Sequence, residues 1–411
     1  MSDEQSPPKP AIETVLTHGG RRPESYHGYV NTPVFRGSTV LFPTLDALDD
    51  YTLPHRYGRN GNPTAQAVES LVSELEGAAG TVLAPSGLSA ISTALMAVLG
   101  TGDEVLVTDS VYEPTRNFCN ETLARFGVGT RYHDPRIGAR IADLFTDRTR
   151  AVFVESPGSL TFEIEDLPAI ASAARSRGIA VIVDNSWATP LYLRPLALGA
   201  DIVVHAGTKM FVGHSDAMFG TVSSNAQWWP RLSRSHRLSG VCASPDDAFL
   251  AARGMRTLAI RMKEQERRAL ELAGWLKAQP VVRDVLHPAL PDHPDHAIWK
   301  RDFGGSGSVF SVLLEPAPRD AVAAMVDGLS LFGMGYSWGG FESLCLPVHP
   351  ERIRTTVPWD HAAGNLFRIN VGFEDPQDLQ TDIAAALERY RAANTWLDST
   401  TGVARVPAAV D

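Results

Sequence analysis

The sequence predicts an α/β fold: a large, mainly parallel sheet domain followed by a smaller C-terminal α/β domain. Three observations carry this reading. Short apolar runs alternate with helical stretches between residues 61 and 245, as in βαβ units. Ile179 to Val183 and Ala200 to His205 are apolar and dense in β-branched residues, the composition of strands covered on both faces. Beyond residue 300 a second set of strand and helix patterns begins, too far along the chain to belong to the first.

Residues 1–60 are rich in Pro, Gly and Arg, show no clear periodicity, and lead into Tyr57-Gly58-Arg59-Asn60-Gly61-Asn62-Pro63, where Gly, Asn and Pro favour turns. They predict an extended N-terminal arm. From Thr64 onward, Val68, Leu71, Val72 and Leu75 repeat at helical spacing, and Gly77 supplies a stop. The alternation continues with strands at Thr81 to Leu83, Glu104 to Thr108 and Ala151 to Glu155, and helices near 88–99 and 114–126. Asp166 can cap a helix that runs through Ile170 and Ala174 to Gly178. These elements define a domain over 61–245. The remainder, 246–411, opens with one long helix over 246–278 that has a kink or break near Gly254. It continues with strands at Ser308 to Leu314 and Leu366 to Val371, helices near 319–327 and 376–394, and a frayed tail after Ser399.

Composition narrows the function. The chain of 411 residues is 44% hydrophobic and 20% charged, which suits a large packed core. A net charge of −10 gives no electrostatic footprint for phosphate backbones, so nucleic acid is excluded as a partner. Cys119, Cys242 and Cys345 are odd in number and scattered, which excludes a disulfide framework. With no basic leader and no apolar run near the roughly 18 residues of a membrane span, the sequence predicts a cytoplasmic protein without membrane attachment. Only five of the 37 basic residues are lysines, so a lysine in a special setting stands out.

Lys209 is such a lysine. It and Asp184 each follow the carboxyl end of a buried strand, where open α/β sheets bind ligands. A lysine there suits Schiff-base chemistry, and an aspartate on a neighbouring strand can pair with a pyridinium nitrogen. A structural salt bridge at the sheet edge is the second reading of the same pair. Ala84-Pro85-Ser86-Gly87-Leu88-Ser89 joins a strand to a helix start and offers backbone amides to an anion, or is an ordinary helix cap. Arg368 interrupts an apolar alternation with a guanidinium whose fork suits a carboxylate, unless it snorkels from an edge strand.

Other patterns are set aside. Gly333-Met-Gly-Tyr-Ser-Trp-Gly339 has its last glycine one residue late for a dinucleotide loop, and no Gly-Lys pair exists to form a P-loop. His293-Pro-Asp-His296, with His287 upstream, reads as a solvated loop, and no metal is expected. Arg253, Arg256, Arg261, Lys263, Arg267 and Arg268 read as a solvated helix face.

Taken together, Tyr57-Gly58-Arg59-x-x-Asn62-Pro63-Thr64, Ser86-Gly87, Asp184-Asn-Ser-Trp-Ala-Thr-Pro190, Thr208-Lys209 with Gly213-His-Ser-Asp216, Arg253-Gly-Met-Arg-Thr-Leu258 and Ser337-Trp-Gly-Gly-Phe-Glu-Ser-Leu344 resemble the Cys/Met-metabolism pyridoxal-phosphate enzymes, over about residues 25–390. The resemblance implies fold type I, pyridoxal 5'-phosphate as cofactor, and a homotetramer of two tight dimers with active sites at the dimer interface. It also implies that Lys209 holds the cofactor covalently and then acts as base, that Asp184 pairs with the pyridinium nitrogen, and that Tyr112 stacks on the ring. Gly87, Leu88 and Thr208 would hold the phosphate, with Tyr57 and Arg59 from the neighbouring subunit. Ser337, Trp338 and Arg368 would meet the substrate. The family commonly has Ser three residues before the lysine, where this chain has Ala206 and so lacks one hydroxyl donor.

Within the family, Ser337-Trp-Gly-Gly and Tyr112-Glu-Pro are most like the bacterial cystathionine β-lyases. Relatives acting at the γ-carbon more often show Ser-Leu-Gly-Gly, and methionine γ-lyases typically have Cys at the place of Pro114. The resemblance therefore implies β-elimination of L-cystathionine to homocysteine, pyruvate and ammonia, a step of trans-sulfuration in methionine biosynthesis. The alternatives are γ-lyase or γ-synthase chemistry on cystathionine, methionine or canavanine-type substrates, and a cofactor-binding regulator with incidental turnover.

Overall fold

A computed structural model describes residues 10–394; the tail after Ser399 lies outside them. The N-terminal segment is less extended than its composition predicts. It holds helices α1 (Ile12–His18) and α2 (Leu45–Asp49) between irregular stretches, and α1 buries Leu16 against the rest of the chain. Helix α3 (Pro63–Glu76) begins where Asn62 accepts a hydrogen bond from the Ala65 amide and ends at Gly77 in the left-handed conformation.

Strands and helices then alternate: β1 (Gly80–Ala84), α4 (Gly87–Val98), β2 (Glu104–Thr108), α5 (Glu113–Asn117), β3 (Gly129–His133), β4 (Thr149–Glu155), α6 (Leu167–Arg175), β5 (Ala180–Asp184), α7 (Thr189–Tyr192), β6 (Ile202–His205), β7 (Gly220–Ser224) and α8 (Trp229–Ser239). They build a seven-stranded sheet in the order β1-β7-β6-β5-β4-β2-β3. Only β7 runs against its neighbours, so the sheet is mainly parallel. Strand β5 shows why its run is unbroken: Ile182 packs with Ile91 and Leu95 of α4 on one face, while Val181 and Val183 pack with Leu167 and Ile170 of α6 on the other.

Helices α9 (Pro245–Met255) and α10 (Leu258–Lys277) are the long helical stretch expected from the sequence, interrupted by a break at Arg256 and Thr257, just past Gly254. The chain continues through β8 (Val282–Leu286), α11 (His296–Asp302), β9 (Val309–Leu314), α12 (Arg319–Val326), β10 (Leu344–Val348), β11 (Asn365–Asn370) and α13 (Pro376–Ala393). The second sheet is antiparallel, in the order β10-β11-β9-β8, with α12 and α13 sharing its core. Among the described residues no helix is long and apolar enough to cross a membrane.

The solvated face expected along α9 and α10 needs correction. Lys263, Arg267 and Arg268 do pair with Glu13, Glu264 and Glu271 near the surface. Arg256, however, turns inward to the Leu16 and Gly19 carbonyls at 2.6 and 2.9 Å. Arg261 is buried and donates to the carbonyls of Met210 and Gly254 at 2.7 and 2.9 Å, so it fills the break and braces the turn after Lys209. Burial lowers its guanidinium to about 10.

Asp109, just past β2, ties the two sheets together. Its fully buried carboxylate accepts from the amides of Thr355, Thr356 and Val357 at 2.8–3.2 Å and from Arg116 at 2.7 Å. Burial alone would raise this carboxyl, but those donors outweigh it and hold it below its ordinary value. A carboxyl depressed on folding stabilises the fold above its unfolded value, and that contribution fades as pH falls through the acid range. Asp109→Ala leaves Arg116 unpaired and buried, so urea unfolding is expected to give a loss of about 3 kcal/mol at neutral pH that shrinks below about pH 4.

Candidate active site

Three strand ends, of β4, β5 and β6, and one loop converge. In the parallel sheet Glu155 and Asp184 are register partners on β4 and β5, so their side chains leave the same face at the same level. After β6 the chain turns at Ala206-Gly207-Thr208 and presents Lys209. The lysine is deep in the molecule, yet part of its area stays open, as expected of a side chain lining a cleft. Its Nζ lies 4.1 Å from the centre of the Trp338 ring. Gly339, at φ +83°, lets this loop close in: a Cβ there would stand 3.3 Å from the Lys209 backbone and side chain.

Asp184 is oriented before any ligand arrives. One oxygen, Oδ1, accepts from the Ser186 amide at 2.9 Å and its hydroxyl at 2.6 Å, and that hydroxyl accepts from the Ala206 amide at 2.7 Å. Arg368 lies on β11, an inner strand of the second sheet, so the edge-strand reading falls. Its guanidinium donates to the Ser337 carbonyl at 2.8 Å. Ser337 is exposed at φ +73°, a strained setting for a residue with a Cβ, and contributes its carbonyl rather than its hydroxyl to this contact.

The electrostatics follow from this crowding. Burial first, then the Arg368 charge, lower the Lys209 ammonium to about 8, although Asp184, and Glu155 whenever it is ionised, pull the other way. Burial, with Glu155 and Asp184 nearby, raises the Tyr112 phenol above its ordinary value. The sequence places Glu155 at the end of a strand but gives it no role; the available signal was that strand end beside the one bearing Asp184.

These residues fit pyridoxal phosphate. Helix α4 begins with Ser86 as its cap, and the amides of Gly87 and Leu88 lie in the first turn, where no intrahelical carbonyl can meet them. Gly87 makes the cradle tight: a Cβ there would come within 2.6 Å of Ala206 Cβ. Thr208 fits less simply, because its hydroxyl donates to the Phe219 carbonyl at 3.1 Å and accepts from the Phe219 amide at 2.8 Å. An amine lowered to about 8 is roughly one-tenth neutral at pH 7, against under a thousandth for an ordinary lysine. Cofactor uptake by the apoprotein is therefore expected to accelerate with pH and level off above about 8, as followed by visible absorption.

Tyr57 and Arg59 are not brought to Lys209 within this chain. They line a cleft of about 470 Å³ with Arg36 and Cys242, and Arg59 donates to the Arg237 carbonyl at 3.0 Å.

Comparison with known proteins shows the family of the chain. The family described as Cys/Met metabolism PLP-dependent enzyme matches residues 13–388. A chain from Rhizobium johnstonii is 47% identical over 377 residues, 90% of this chain and 94% of its own length. The cystathionine beta-lyase of Salmonella typhimurium is 39% identical over 399 residues, 95% of this chain and 100% of its own. The solved structure of cystathionine gamma synthase from Xanthomonas oryzae pv. oryzae has a TM-score of 0.86 at 31% identity, covering 94% of this chain and 100% of that one.

Proposed function

The chain belongs to the Cys/Met metabolism PLP-dependent enzymes, and on that premise we propose that it is a carbon–sulfur lyase that cleaves L-cystathionine by β-elimination to homocysteine, pyruvate and ammonia. The observation that carries this is the deep Lys209 amine set against Trp338, with Asp184, Glu155 and Arg368 acting on it.

Bound pyridoxal phosphate supplies an electron sink for the charge left at Cα. Lys209 is the base that takes the Cα proton, because its amine is neutral in useful amounts near neutral pH. Asp184, fixed by Ser186, would hold the proton on the ring nitrogen of the bound cofactor. Tyr112 would cover one side of the ring, and Arg368 would orient the substrate through its carboxylate. Gly87 and Leu88, with Thr208 if its hydroxyl turns from Phe219, bind the phosphate. Tyr57 and Arg59 act in the partner's site, which accounts for their distance from Lys209 here and requires at least a dimer, assembled as a tetramer. The exposed Tyr29, Leu41, Tyr51 and Tyr57 are apolar surface that such a partner would cover. In this reading residues 1–60 form the arm, 61–245 the cofactor domain and 246–411 the C-terminal domain, and the enzyme serves methionine biosynthesis in the cytoplasm.

β-Elimination needs one proton removed at Cα, whereas γ-chemistry needs a further shift from Cβ and room for a longer intermediate. A rigid indole beside the lysine restricts that second path. L-Cystathionine is expected to yield pyruvate and homocysteine with little 2-oxobutyrate, and Trp338→Leu to raise the 2-oxobutyrate share severalfold. Chromatography of the keto acids tests both. Predominant 2-oxobutyrate from the unaltered enzyme would place it among the γ-lyases, and no turnover of cystathionine would redirect the search to another amino acid.

A further inference from the structure

The roles above leave one acid of the cluster without a task. Glu155 ends β4 in register with Asp184 on β5, so two carboxyls leave one sheet face side by side. Its Oε2 accepts a hydrogen bond of 2.8 Å from the backbone amide of Tyr112, the first residue before α5. Its own amide donates to a third acid, Glu165, at 3.2 Å, and the Glu165 amide is taken by the Ser156 hydroxyl at 3.0 Å. The charged or titratable groups acting on Glu155 are thus Asp184, Glu165, Tyr112 and Lys209.

Three acids and one lysine in so small a space cannot all be ionised cheaply. Like charges at neighbouring positions of a low-dielectric site separate into one that ionises and one that keeps its proton. Asp184 has the donors that favour charge, from the Ser186 amide and hydroxyl. Glu155 has one amide from Tyr112, and that contact needs only a carbonyl oxygen. We propose that Glu155 is a positioning residue that works as a neutral carboxyl, holding the Tyr112 backbone beside the cofactor while leaving Asp184 as the only negative charge at these two strand ends. Burial, and after it Asp184, push the Glu155 carboxyl well above the ordinary range, in keeping with that assignment.

The inference rests on the cofactor of the family and is independent of the choice of substrate. Its test uses holoenzyme, with the visible absorption of bound pyridoxal phosphate titrated from about pH 6 to 10 beside steady-state kinetics. Glu155→Gln keeps the accepting carbonyl and no charge; it is expected to hold the midpoint of the chromophore within about 0.3 pH unit and kcat within about threefold. Glu155→Ala frees Tyr112 and is expected to lower kcat about tenfold and displace the absorption maximum. A midpoint lowered by about one unit or more in Glu155→Gln would show that an ionised carboxylate had been removed and would overturn the proposal. So would Glu155→Ala with wild-type spectrum and rates. If Glu155→Ala does not fold, the midpoint of Glu155→Gln decides alone. Wild-type protein that takes up no pyridoxal phosphate would refute the cofactor assignment, whereas a fault confined to the variants bears on Glu155.

Discussion

Lys209→Ala is expected to lower kcat by about 10³-fold or more and to remove the covalent link to the cofactor. General-base catalysis alone is worth about 10²–10⁴ in rate, and here the same amine also carries the cofactor. No other lysine of the described residues replaces it: Lys263 pairs with Glu13 and Lys277 with Asp292 at the surface, and Lys300 lies in α11, away from the strand ends. Lys209→Arg should not restore activity, because a guanidinium stays protonated and cannot serve as base. The variants should bind pyridoxal phosphate weakly and reversibly through Gly87 and Leu88, and equilibrium dialysis would register this. Residual turnover above about one-hundredth of wild type would move the proton transfer to another group.

Arg368→Ala is expected to lower kcat/KM about 100-fold, roughly 2.7 kcal/mol, with most of the loss in KM because the substrate carboxylate is charged in ground and transition states alike. Arg368→Lys should recover only part, since an ammonium lacks the planar fork. The geometry adds a second consequence. Arg368 is the cation that helps lower Lys209, so Arg368→Ala should move the pH midpoint of cofactor uptake upward from about 8. A KM change with no midpoint change would mean that the two cations are more distant in solution than in this structure.

Much of the cofactor half of the site was legible because it follows rules of local sequence. Strands β2 and β5 are unbroken apolar runs, and Asp184 and Lys209 stand at their class of strand end. Asp166 and Gly77 announce helix ends through cap chemistry. What stayed hidden depends on tertiary partners. β3 carries Arg131 and His133, β7 is rich in serine, β8 contains Arg283 and Asp284, and β10 contains Pro347; none has the alternation of a half-buried strand, yet each pairs because a neighbour supplies the ladder. Arg261 has the spacing of a solvated face and is buried because the Met210 and Gly254 carbonyls need a donor. Glu155 looked like an ordinary strand-end acid until the register placed it beside Asp184. Tyr57 and Arg59 were assigned by resemblance alone, and a single chain leaves them apart from Lys209.

The central claim is that one lysine, deep between Asp184, Glu155, Trp338 and Arg368, carries the cofactor. The most direct measurement is peptide mapping by mass spectrometry after borohydride reduction of the cofactor-loaded protein. A single phosphopyridoxyl adduct on Lys209 is the expected result, and an adduct on Lys263, Lys277 or Lys300 in place of it would contradict the account.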